Sequence, residues 1–318
     1  MASSEHGGIN ERAAKGFSNS ANYDKYRPSY TESAAEELLK QCRVSGRKNA
    51  QILDLGAGSG KFTEVLAQRP EKYEIVAVEP HDGMRDVLVK KELSGVTVKS
   101  GKADGIPLED ESVDAVICAQ TKPLQAFHWF ANEPALKEIH RVLRPHGVLG
   151  MIWNIEDYNS PQTYDATTPW EGKVRDLTWT FQDNEARFRH EKWRKVFEDQ
   201  SKSTPLSLII ASDQLFALPL GEHLEQFEVQ LTKEQIWERY ATISHIAVLE
   251  GEEREVSGGA AFDMKRTYKT VMDALNSPDV DVDQDGKVAV HGKTFIVWSS
   301  KIPEDGRASL TDVEMPES

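Results

Sequence analysis

The residues with the clearest chemical content lie between Ile52 and Thr63, which read Ile-Leu-Asp-Leu-Gly-Ala-Gly-Ser-Gly-Lys-Phe-Thr. An apolar run broken by Asp54 stops at Gly56. Gly58 and Gly60 follow, and then a helical pattern begins. That order is a strand, a tight turn and a helix start. Glycines let the chain turn sharply and let a ligand reach main-chain atoms. The first turn of a helix offers N–H groups without helical partners. The chemistry is therefore that of a nucleotide-like ligand, and three motifs compete for it. The dinucleotide fingerprint needs glycine at position 61, where Lys61 stands. The P-loop needs glycine at 55 and Ser or Thr at 62, which are Leu55 and Phe62. What remains is D-x-G-x-G-x-G, a pattern that an ordinary strand-to-helix turn also produces. A second carboxylate sharpens it. Glu74–Glu79 reads as a buried strand ending in Glu79, followed by Pro80. An acidic residue about twenty positions after a glycine turn, at the end of the next parallel strand, can accept hydrogen bonds from both hydroxyls of a ribose.

These residues need elements to hold them. Apolar runs predict strands at 52–55, 74–79, 96–100, 113–119 and 148–153. Helical spacing between them predicts helices at 32–42, 62–67, 83–91 and 134–143. Alternation of this kind argues for a parallel sheet. In such a sheet Gly56–Gly60, Glu79, Asp104 and the residues after Ala119 all follow strands, so they converge on one edge. Met84, on the first turn of its helix, is suited either to an adenine face or to the helix core. Beyond Trp153 the alternation stops. Residues 155–205, with Trp170, Trp179 and Trp193, are expected to form a mostly helical cap. Strands are predicted at 227–231 and 293–299, with helices at 233–242 and 262–275. Asp281–Gly286 imitates the start of a calcium loop, but Gly292 stands where the bidentate Glu is required, so a turn and no metal are expected.

The Asp54–Gly60 stretch resembles motif I of class I methyltransferases that use S-adenosylmethionine (AdoMet). Other stretches extend the resemblance to the small-molecule group of trans-aconitate methyltransferase type. Tyr23-x-x-x-Arg27-Pro28-x-Tyr30 is similar to that group's leader. Ala126-Phe127-His128-Trp129-Phe130 is similar to its A-Q-A-F-H-W-F segment. The stretch from Ala119 to Ala126 is longer here, so Gln120 and Gln125 both qualify as its glutamine. Leu143, Arg144, Pro145, Gly147 and Leu149 match its L-R-P-x-G-x-L. The resemblance implies a Rossmann-like α/β fold: a seven-stranded sheet with helices on both faces, the last strand antiparallel and a cap after strand 5. It implies AdoMet as cofactor, held by Tyr23, Arg27, Asp54, Gly56, Gly58, Gly60, Glu79, Pro80, Met84, Ala103, Asp104, Ala119 and Gln120. Asp104 matches the Asp that accepts from the adenine amino group. His128 is the candidate catalytic residue, as a base or as a group that orients its loop. The implied reaction is O-methylation of a carboxylate or hydroxyl. An AdoMet fold without methyl transfer, binding a partner or cyclising a substrate, stays open, as does a nicotinamide-dependent oxidoreductase.

Composition narrows the partners. The 318 residues carry a formal net charge of −14, which disfavours nucleic acid, since phosphate binding needs clustered Lys and Arg. A small-molecule acceptor is expected instead. Only Cys42 and Cys118 occur, so neither a disulfide framework nor a zinc site is expected. No apolar stretch is long enough to span a membrane. A cytoplasmic protein is expected, with residues 1–16 as a flexible N-terminus, 17–302 as one domain, and 303–318 as a flexible acidic tail.

Overall fold

The central strands are apolar at consecutive positions, as strands covered on both faces must be. In the computed structural model β1 (Gln51–Leu55), β2 (Glu74–Val78), β3 (Val96–Lys99), β4 (Val113–Ala119), β5 (Leu143–Glu156), β6 (Gly221–Thr232) and β7 (Lys287–Ser300) form one sheet. Its seven strands run in the order β3-β2-β1-β4-β5-β7-β6. The structure describes residues 29–119, 131–181, 187–200, 214–247, 254–255 and 261–303. The pairs within β1–β5 are parallel, and β7 lies antiparallel between β5 and β6. The sheet therefore has the arrangement expected from the sequence, with its topological switch between β1 and β4.

Helices cover both faces, and neighbouring strand residues divide between them. Ile52, Ile117 and Ile152 pack with Leu38 and Leu39 of α1 (Glu32–Gln41) and Phe62 and Leu66 of α2 (Lys61–Ala67). Leu53, Cys118 and Met151 point the other way, onto Leu136, Ile139 and Val142 of α4 (Glu133–Val142). Between these in sequence lies α3 (Asp82–Val89), whose Leu88 packs against Ala57 and Ala77. Helix starts are fixed by polar caps: Thr31 accepts from Ala34 N, and Asn132 accepts from Ala135 N with Pro134 just behind it.

Three elements are longer than apolar patterning predicts. β5 begins at Leu143, because Leu143 pairs with Val113 and Val148 with Ala115, so Arg144–Gly147 bulges out of the ladder. His146 takes φ 63° in that bulge. β6 and β7 pair from Gly221↔Trp298 to Thr232↔Lys287. Backbone pairing carries them through polar residues that an apolar pattern ends on. At the start of β7, Asp283 Oδ1 accepts from Asp285 N and Lys287 N, so this carboxylate closes a turn.

The described part of the expected cap contains α5 (Pro169–Thr180) and short single turns at 157–159, 188–190, 192–194 and 195–198. Trp170 packs with α6 (Lys233–Ala241) and α7 (Met264–Leu275), while Trp193 packs against Trp153 of β5. Both indoles are about fully buried, at 2% and 1% exposed, and serve core packing. No described helix is long and apolar enough to cross a membrane.

Candidate cofactor site

The sheet register brings the motif residues to one level. Leu55 pairs with Val78 and Val78 with Lys99, so β1, β2 and β3 end side by side. Asp54 pairs with Ile117, which places Ala119, at the end of β4, level with Gly56. Gly56, Glu79 and Ala119 therefore leave the sheet along one edge. The turn after β3, which carries Ala103 and Asp104, lies on that edge too, and Asp104 is exposed there.

The glycine turn is built from left-handed residues, with φ of 74° at Gly56, 60° at Gly58 and 86° at Gly60. Gly56 N and Ala57 N donate to Val78 O at 2.8 and 3.1 Å, which ties the turn to the end of β2. Gly60 also has a packing role. A Cβ placed on it would stand 2.3 Å from Leu88 Cδ1, so its bareness lets α2 start against α3.

Glu79 is fully buried, at 0% exposed. Its Oε2 accepts from Gly58 N and its Oε1 from His81 N, each at 2.8 Å. One carboxylate thus joins the glycine turn to the start of α3. Arg85, one turn into α3, braces the same corner by donating to Glu79 O and Pro80 O, both at 2.9 Å. Asp54 sits below the turn at 1% exposed. Its Oδ2 accepts from Thr63 Oγ1 at 2.6 Å, and its Oδ1 is buried without a hydrogen-bond partner. Burial pushes this carboxyl up to about 6, against the opposing pull of the Thr63 hydrogen bond. Met84 is buried at 2% exposed, and Pro80 is half-buried.

A buried carboxylate with one unsatisfied oxygen, a second carboxylate at the tip of the next strand and a left-handed glycine turn fit a cationic nucleoside ligand such as AdoMet. Of the residues expected at the site, the structure brings together Asp54, Gly56, Gly58, Glu79 and Pro80, with Gly60 behind them. Tyr23, Arg27, Gln120 and His128 lie outside the described residues. Thr63, His81 and Arg85 were not expected. Thr63 alone carried a signal, as a hydroxyl on the first turn of the helix that follows the glycines.

Residues 53–151 match a family model described as a methyltransferase domain. Over this stretch the chain is similar to methyltransferases. It is 42% identical over 178 residues to an uncharacterized methyltransferase-like protein of Schizosaccharomyces pombe, across 56% of this chain and 62% of that protein. A second uncharacterized methyltransferase of that organism is 49% identical over 142 residues, across 44% of this chain and 53% of that protein. A malonyl-[acyl-carrier protein] O-methyltransferase of Methylococcus capsulatus is 36% identical over 117 residues, across 36% of this chain and 41% of that protein. In each comparison the chain spans less than two thirds of the relative's own length. The methyltransferase match begins at Leu53, within β1, and ends inside β5, so it contains the whole glycine turn and the Glu79 corner.

Proposed function

We propose that this protein binds AdoMet and transfers its methyl group to an oxygen of a small organic acceptor, a carboxylate in preference to a hydroxyl. The observation that carries the cofactor half is the pair of buried carboxylates, Asp54 and Glu79, at the ends of adjacent strands around a left-handed glycine turn. When bound, AdoMet supplies an electrophilic methyl on a sulfonium. Asp54 would offer negative charge to the cationic cofactor from a site shielded from water. Glu79 would accept from ribose hydroxyls, as a carboxylate at this strand end does in related folds. Gly56 and Gly58 would keep the main chain open to the ligand. Pro80, Met84, Ala103 and Asp104 would flank the adenine, with Ala119 and Gln120 beside the transferring group. Tyr23 and Arg27 are assigned to the cofactor on the leader's resemblance. Residues 155–205 are taken as a cap on a single domain spanning 17–302.

Two things support a carboxylate acceptor: the resemblance of Tyr23–Tyr30 and Phe127–Trp129 to enzymes that esterify small carboxylic acids, and the name of the Methylococcus capsulatus relative, an O-methyltransferase of a malonyl-[acyl-carrier protein]. A carboxylate is already ionised and needs positioning only. A hydroxyl must lose its proton, and a base such as His128 would then accelerate transfer by about 10²–10⁴. The test is incubation with methyl-labelled AdoMet and parallel panels of carboxylic acids, phenols, tRNA and histones. Base-labile label on a carboxylic acid is expected. Label on tRNA or histones exceeding that on every small molecule would overturn the proposal.

A further inference from the structure

Asn154 is out of place by core-packing logic. It lies between Trp153 and Ile155 in β5, is 3% exposed, and pairs directly across the ladder with Thr294 of β7, which is 1% exposed. An apolar pair of the same shape would fill that position without burying polar atoms. The two side chains are instead joined: Thr294 Oγ1 donates to Asn154 Oδ1 at 2.7 Å. That bond orients the amide, and Asn154 Nδ2 donates to Ser29 O at 3.3 Å. The next residue, Tyr30, is 9% exposed and sets its ring edge-on against Phe62, with centroids 5.0 Å apart. Phe62 is the second residue of α2, directly after Gly60 and Lys61.

The position of this chain of contacts gives it meaning. Ile152 pairs with Ala119 at the end of β4, so Asn154, two residues on, stands beyond the strand ends on the site edge. It shares a face with Ile152, the face that carries α1 and α2. A buried polar link from β7 through β5 thus ends on the segment that backs the glycine turn.

We propose that Asn154 is a positioning residue of the cofactor site: through the Ser29 carbonyl it seats Tyr30 on Phe62 and so fixes the junction between the glycine turn and α2. The inference rests on the AdoMet reading above, which is therefore measured first. Calorimetry on the full chain gives the AdoMet Kd for wild type, Asn154→Ala, Tyr30→Leu and the double variant, with apo thermal unfolding alongside. Asn154→Ala is expected to weaken AdoMet binding about 3–10-fold, the equivalent of one neutral hydrogen bond. In the Tyr30→Leu background the same change is expected to cost less than about twofold, because both act through one contact. Thr294→Val, which keeps side-chain volume, is expected to weaken binding in the same direction by less, and it stands in if Asn154→Ala fails to fold. Additive losses, or an unchanged Kd in both Asn154→Ala and Thr294→Val, would overturn the inference while leaving the cofactor reading intact. No AdoMet binding by the wild-type chain would overturn both.

Discussion

On the AdoMet reading, Asp54 should make cofactor binding depend on pH in a calculable way. Its carboxyl is pushed up to about 6 by burial, and Oδ1 has no hydrogen-bond partner. The cofactor is cationic near its sulfonium and ammonium, so the ionised carboxylate is the binding form. The apparent Kd then scales as 1 + 10^(pKa − pH), a factor of about 1.1 at pH 7 and about 11 at pH 5, so affinity falls about tenfold across that range. The stability of the free chain runs the other way. The folded-state carboxyl is raised above its ordinary value of 3.8, so the native state holds the proton more tightly. Asp54 therefore lowers the free chain's stability as pH rises through that window, and the loss levels off above about 6. Calorimetric titration with AdoMet from pH 5 to 7, in buffers of different ionisation enthalpy, reads both the affinity and the released proton. Asp54→Asn should flatten the profile and weaken the pH 7 affinity by about 1.5–3 kcal/mol, the worth of a hydrogen bond to a charged group. A wild-type profile already flat from pH 5 to 7, or a slope that persists in Asp54→Asn, would refute the reasoning.

Glu79→Ala should weaken AdoMet binding by about 1.5–3 kcal/mol. It should also lower the unfolding midpoint of the free protein, because Glu79 holds Gly58 N and His81 N; an effect on binding with none on stability would mean that this bridge does not hold the corner. Gly60→Ala should destabilise the fold by about 2–4 kcal/mol, from a left-handed alanine and the clash with buried Leu88, as measured by urea unfolding. Cys42 and Cys118 are buried, and burial pushes the Cys42 thiol up to about 12 and Cys118 well above its ordinary range. Neither should react with a thiol reagent in the native protein on the timescale on which both react in denaturant; rapid native labelling of either would contradict their placement in the core.

The sheet and its helices were legible because the signals are local: apolar runs for β1–β4, and helical spacing between them. Glu79 was legible from its spacing to the glycine turn. What the sequence hid depends on long-range contact. Gly60 reads as a ligand glycine, and only its distance to Leu88 shows that it also serves helix packing. Asn154 reads as a polar residue near a strand end until Thr294 and Ser29 arrive from opposite ends of the chain. The ends of β5, β6 and β7 were missed because backbone pairing continues through polar residues there. Tyr23, Arg27, Gln120 and His128 lie outside the described residues, so their roles rest on resemblance.

The central claim is that the Asp54–Glu79 corner is an AdoMet site. The most direct measurement is calorimetric titration of the full chain, at pH 7, with AdoMet, its demethylated product, NAD and ATP in separate runs, followed by thermal unfolding with each ligand. AdoMet and its product should bind, and at a hundredfold excess over Kd either should stabilise the protein by about 2.7 kcal/mol. Tighter binding of NAD or ATP than of AdoMet, or no binding of AdoMet at all, would contradict the account.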